Sequence, residues 1–166
     1  MIRKVEIEDA DHLLALMYRL DEETKFMLLE PGERKTTVKE QVEIISSFIG
    51  SDSKQMFVAE ANNEIVGFIV GIGNTANRNK HSIYCVIGIQ QSYCGKGIGK
   101  KLLSHIEKWA KGHDFTRIEL TVMEHNEHAK QLYLSQGFEV EGTKRNSLFV
   151  DGAYVNEYYM SKLLAA

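Results

Sequence analysis

Apolar residues along this chain recur with two periods, and the places where the period changes mark its elements. Met1 to Glu6 reads as a short strand. Asp9 then stands as a helix cap before Leu13, Met17 and Leu20, which share one helical face. Glu22 to Lys35 holds the only proline, Pro31, and reads as a surface loop. A second helix starts at Thr37, where Thr37-x-x-Glu40 has the capping-box form and Val38, Val42, Ile45 and Ile49 keep helical spacing. Met56 to Glu60 and Glu64 to Ile72 form two strands joined at Asn62-Asn63, a pair suited to a hairpin because Asn tolerates left-handed backbone. The run from Ile83 to Ile89 is a buried strand, and it leads to a helix from about Gly97 to Lys111. That helix carries Ile98, Leu102, Leu103, Ile106 and Trp109 as its apolar stripe and ends at Gly112. Ile118, Leu120 and Val122 alternate as in a half-buried strand, Asn126 caps a helix closing at Gly137, and Asp151-Gly152 turns a hairpin between strands near Phe138 to Lys144 and Ala153 to Met160.

The order β-α-α-β-β-β-α-β-α-β-β mixes hairpins with strand–helix crossovers, which predicts an α/β (α+β) architecture, a mixed sheet flanked by helices. With 166 residues and 43% apolar content, one domain spanning 1–166 is expected. No apolar run approaches the roughly 20 residues of a membrane helix. The N-terminus shows no basic-then-apolar leader, and two cysteines make no disulfide framework, so a reducing, cytoplasmic setting is expected.

The strongest chemical signal lies where the strand ending at Ile89 meets Cys94, Gly95, Lys96, Gly97, Gly99 and Lys100. Free N–H groups at a helix start, approached through glycines, make a phosphate cradle, and Lys96, Lys100 and Lys101 add positive charge. A Walker loop is excluded because Lys101 follows Gly99-Lys100 and Cys94 replaces the first glycine. The dinucleotide fingerprint fails as well, since the third glycine, Gly99, arrives one residue early.

A second motif follows about thirty residues on: Asn126, Ala129, Leu132, Tyr133, Gly137 and Phe138, in the pattern Asn-x-x-Ala-x-x-Leu-Tyr-x-x-x-Gly-Phe. With Gly97-x-Gly99, it resembles the GNAT superfamily of acyl-CoA-dependent N-acetyltransferases. The two motifs cover roughly a third of the chain, and their joint order and spacing are highly specific. Cys94 departs from the family, which usually carries Arg or Gln there, so a charged contact to the pyrophosphate is missing from that position.

The resemblance implies acetyl-CoA as co-substrate, a sheet whose central strand and the next splay apart, and backbone contacts from Ile87 and Ile89 to the pantetheine. The Ile87 N–H is then the donor to the thioester carbonyl. It also implies Tyr133 as the acid that protonates the departing thiolate, and Asn126 as a cofactor contact. On residues alone, Tyr133 also reads as a core aromatic and Asn126 as only a helix cap. An acceptor amine with a pKa near lysine's, about 10.4, is neutral in roughly one molecule in 2,500 at pH 7 and needs a base. Glu119, Glu124, His125 and His81 are candidates, and none stands out. His125 and His128 with Glu124 and Glu127 offer no convincing metal geometry.

The net charge of −3 disfavours nucleic acid and hides a gradient: residues 1–64 carry 8 basic and 14 acidic side chains, whereas residues 80–117 carry 7 and 2. That pairing predicts an anionic co-substrate at the glycine turn and a small cationic amine near the acidic half. A peptide or ribosomal-protein α-amine is the alternative acceptor, and a non-catalytic acyl-CoA sensor the alternative of another class. No membrane partner is expected, and a homodimer is compatible with the sequence.

Overall fold

The computed structural model describes residues 1–165. Its elements follow the expected order: β1 (Ile2–Lys4), α1 (Ala10–Glu23), α2 (Val38–Ser46), β2 (Lys54–Ala61), β3 (Glu64–Gly73), β4 (Ser82–Ile89), α3 (Ile98–Gly112), β5 (Arg117–Met123), α4 (Glu127–Ser135), β6 (Glu139–Val150) and β7 (Ala153–Leu163). The seven strands form one sheet in the order β1-β2-β3-β4-β5-β7-β6, antiparallel throughout except for the parallel pair β4–β5.

Alternation along the strands sends side chains to two cores. On one face Ile69, Ile83, Cys85, Ile118 and Leu120 pack against Leu102, Ile106 and Trp109 of α3 and Tyr133 of α4. On the other, Val58, Phe68 and Val70 pack against Leu13, Leu16 and Leu20 of α1 and Ile45 of α2. The two turns expected from Asn and Asp-Gly pairs form as read, with φ of 51° and 63° at Asn62 and Asn63, and 51° and 80° at Asp151 and Gly152.

Several boundaries differ for local reasons. The Thr37–Glu40 capping box forms, but α2 stops at Ser46, because Ser46 and Ser47 hydroxyls donate back to the carbonyls of Val42 and Ile44. Ile49 therefore lies outside the helix and half exposed, and Phe48 takes the buried place. Asp9 precedes α1 without capping it through its side chain. Its carboxylate instead accepts two bonds from Arg3, at 2.7 and 2.8 Å, and one from the Glu6 N–H. Gly112 closes α3 from inside, and the left-handed residue is Asp114 at φ 66°. The last two strands run several residues past their expected ends. Most of β6 is exposed on both faces, so no apolar alternation marks its length.

Candidate active site

The site is opened by a break in sheet pairing. Strands β4 and β5 are in register only at Ser82–Arg117, Ile83–Ile118 and Tyr84–Glu119, and beyond Tyr84 they separate. The direction of each backbone group on β4 follows from its neighbours. The Ser82 carbonyl accepts from Asn74 N and the Gln90 N–H donates to Val66 O, so even-numbered residues bond toward β3. The His81 carbonyl accepts from Thr116 N, so odd-numbered residues face β5. Past the break, the N–H and C=O groups of Ile87 and Ile89 consequently point into the gap, where β5 offers no partner strand. A cavity of about 1650 Å³ occupies this gap and continues on both sides of the sheet.

At the end of β4 the chain turns through Gly95 and Gly97, both left-handed at φ 76° and 84°, into α3. The first helical bond is Lys101 N to Gly97 O at 3.2 Å, which leaves the N–H groups of Ile98, Gly99 and Lys100 without intrahelical acceptors. No protein atom lies within 4 Å of where a Cβ would stand at Gly95 or Gly97, so a phosphate has backbone access there. Gly99 is required for another reason: a Cβ there would sit 2.7 Å from Leu132 Cδ2, so glycine lets α3 approach α4. Ile87, Ile89, Cys94, Gly95, Gly97, Gly99, Lys100, Asn126 and Tyr133 all line the cavity. Lys96 does not; its ammonium lies 5.3 Å from the Tyr93 ring centroid. The Cys94 thiol sits 3.7 Å from the carbonyls of Ile89 and Gln90 and is held protonated by partial burial and then by Glu23. It supplies no charge to the turn.

Asn126 caps α4, its Oδ1 accepting from Ala129 N at 3.3 Å, and thereby fixes the helix that carries Tyr133. Tyr133 is 5% exposed and packs against Phe138, with its ring at the cavity wall. Its phenol is pushed well above the ordinary tyrosine range by burial first, then by Cys85 and Tyr84. It is therefore neutral at physiological pH.

Of the four base candidates, only His125 lines this cavity, its ring tilted 55° against that of Phe26 with centroids 5.1 Å apart. His81 lies at the opposite end of β4. Glu124 faces Asn156, whose Nδ2 is 3.5 Å from both carboxylate oxygens, and Glu119 accepts from Arg117 Nε at 3.0 Å.

One side of the cavity is walled by the segment after α1, which the sequence read as a surface loop. Phe26 and Met27 line it, and Arg34 anchors it to Asp21 on α1 through bonds of 2.7 and 3.1 Å, with Asp21 only 1% exposed. The acidic excess of residues 1–64 is largely turned away: Glu23 is its one side chain on the cavity, joined by Glu157 from β7. Tyr84 and Thr121 went unnoticed in the sequence. They meet at 2.9 Å hydroxyl to hydroxyl, at the point where β4 and β5 part. Their period-2 positions on the face opposite Cys85 and Leu120 were the available signal. No group of three or more metal-ligating side chains occurs among the described residues.

Comparison with known proteins agrees with this geometry. The chain is 28% identical over 166 residues to the spermidine N(1)-acetyltransferase of Escherichia coli K12, covering 96% of this chain and 83% of that protein. Its fold is similar to that of a GNAT-family acetyltransferase from Streptococcus pneumoniae, with a TM-score of 0.94, 28% identity and 99% of each chain covered. It also shares its fold with a phosphinothricin acetyltransferase from Sinorhizobium meliloti solved with acetyl-CoA, at a TM-score of 0.87, 17% identity, and 99% and 88% covered. The model of the Acetyltransferase (GNAT) family matches residues 14–138, a span holding the opened strand edge, the glycine turn and the Asn126 helix. The chain belongs to the GNAT family of acetyltransferases.

Proposed function

We propose that this acetyltransferase moves the acetyl group of acetyl-CoA to a primary amine by direct attack, with both substrates in the one cavity. The observation that carries the reading is the unpaired edge of β4, where Ile87 and Ile89 offer backbone groups to an extended amide chain as a strand would. The open, left-handed Gly95 and Gly97 and the free N–H groups of α3 fit the pyrophosphate of such a co-substrate, with Lys100 beside them. Acetyl-CoA supplies the activated acyl carbon. The Ile87 N–H donates to the thioester oxygen as negative charge develops there, an effect worth about 3–4 kcal/mol at comparable donors. Tyr133 gives its proton to the departing sulfur and is reprotonated from solvent.

For the acceptor, a small cationic amine is favoured by Glu23 and Glu157 on the cavity and by the likeness to a spermidine acetyltransferase. An acceptor carrying a carboxylate, such as an amino acid or a peptide end, is the second reading. It is favoured by Lys144, which lines the same half with no ion-pair partner among the described residues. The free thiols of Cys85 and Cys94 suit a reducing, cytoplasmic setting. Thiol release from acetyl-CoA with spermidine, L-amino acids and short peptides tests the reading. Tight acetyl-CoA binding with no thiol release from any of them would favour an acyl-CoA sensor instead.

A further inference from the structure

The amine must lose a proton before it attacks, and the carboxylates first suspected of taking it, Glu119 and Glu124, do not line the large cavity. What does stand at the parting of the strands, on the acceptor face, is the Tyr84–Thr121 hydroxyl pair. Both residues line the large cavity and also a second one of about 270 Å³ on the far side of the pair. Arg117, Glu119 and Glu141 border this smaller space, and the Glu141 side chain, 42% exposed, marks its way to solvent. The two hydroxyls are thus a polar connection between the acceptor half and water.

We propose that Tyr84 and Thr121 relay the acceptor's proton from the large cavity into the small one. This rests on the acetyl-transfer reading above. One hydroxyl oxygen accepts a proton from the ammonium while the pair passes a hydroxyl proton onward to water beside Glu119. The nitrogen lone pair so freed forms the C–N bond as the C–S bond breaks. The sulfur takes the Tyr133 proton, and the proton the nitrogen then sheds restores the phenol through solvent. The balance is one amide, one thiol and one proton released per turnover.

The charged surroundings suit this direction. Arg117 bonds Glu119 at 3.0 Å and Glu141 at 2.6 Å, so the small cavity holds two carboxylates against one guanidinium. Tyr159 opposes Thr121 in register, and Glu157, Lys144 and His125 are the titratable groups that line the large cavity along with the pair. Tyr133 lines the same cavity from the core on the Cys85 and Leu120 side of the sheet, so the relay and the acid flank the same reaction centre from opposite faces.

The test compares two probe acceptors in thiol-release assays from pH 6.5 to 9.5: n-butylamine, which must be deprotonated, and O-methylhydroxylamine, a far weaker base already neutral at pH 7. Tyr84→Phe and Thr121→Val should each slow n-butylamine at least about tenfold at pH 7, below the roughly 10²–10⁴ of a directly placed base. The loss should fade to within about threefold by pH 9.5, where more free amine is present. With O-methylhydroxylamine both variants should stay within about threefold of wild type throughout. The double variant should be no slower than the slower single one, since both break one chain. Acetyl-CoA affinity and melting temperature report on folding. An equal loss with both acceptors, or none with n-butylamine, overturns the relay while leaving acetyl transfer standing. A wild-type protein that binds acetyl-CoA yet releases thiol with neither probe, nor with spermidine, L-amino acids or short peptides, overturns both.

Discussion

Replacing Tyr133 by Phe separates two roles that this side chain could fill. The ring packs beside Phe138 with centroids 5.8 Å apart, and Phe keeps that contact. What is removed is a hydroxyl at the cavity wall of a residue only 5% exposed. A buried hydroxyl without a partner costs about 1–3 kcal/mol on mutational scales, and one that faces a cavity lies at the low end. For a chain of this size 1 kcal/mol moves the melting temperature by about 2–4 °C, so Tyr133→Phe should leave it unchanged or raise it by up to about 4 °C. Activity should move the other way. A general acid is worth about 10²–10⁴ in rate, or roughly 3–5 kcal/mol of barrier, and kcat with a good amine should fall by that factor at pH 6–9 with acetyl-CoA affinity unchanged. Burial raises the folded-state pKa of the phenol above its unfolded value near 10, so folded stability is undiminished below about pH 10 and falls as pH rises further. The variant should lack that alkaline decline. Stopped or steady-state thiol release, calorimetric binding and thermal melts make the three measurements. A kcat within a few-fold of wild type across pH 6–9, with binding intact, would refute the acid role, and a lower melting temperature beside normal turnover would make Tyr133 a core residue only.

Gly97→Val should abolish acetyl-CoA binding in calorimetry, because φ is 84° there and a β-branched residue both resists that backbone and fills the open approach to the turn. Arg34→Met strands the Asp21 carboxylate at 1% exposure and should cost about 3–5 kcal/mol in urea unfolding, while the Asp21→Asn/Arg34→Met pair should recover part of it. Glu141 should titrate by NMR at about 2, because Arg117 holds it by two hydrogen bonds. With its folded pKa below the unfolded value, its contribution to stability is complete above about pH 4.3 and fades as pH falls toward 2, and Arg117→Met should return it to the ordinary glutamate range.

Much of the site was legible before any coordinates because its signals are local. A glycine turn leading into a helix, and an Asn cap at the start of the helix it belongs to, are decided by backbone sterics and unpaired N–H groups within a few residues. The two period changes that bound β4 and α3, the Asn62-Asn63 and Asp151-Gly152 turns and the Thr37 capping box are of the same kind, and each forms where the residues place it. The charge gradient was legible but misleading about place, since sequence counts carry no direction: Asp9 and Asp21 are spent on Arg3 and Arg34, and of the acidic side chains of residues 1–64 only Glu23 lines the cavity. The residue at which pairing ends, Tyr84, the meeting of Tyr84 with Thr121 thirty-seven residues later and the anchoring of the Phe26 segment by Arg34 belong to the tertiary structure alone; that the two strands part was expected only through the family resemblance. Each depends on where a twisted sheet stops holding two strands side by side, and that is settled by packing against helices on both faces rather than by the preferences of any one segment.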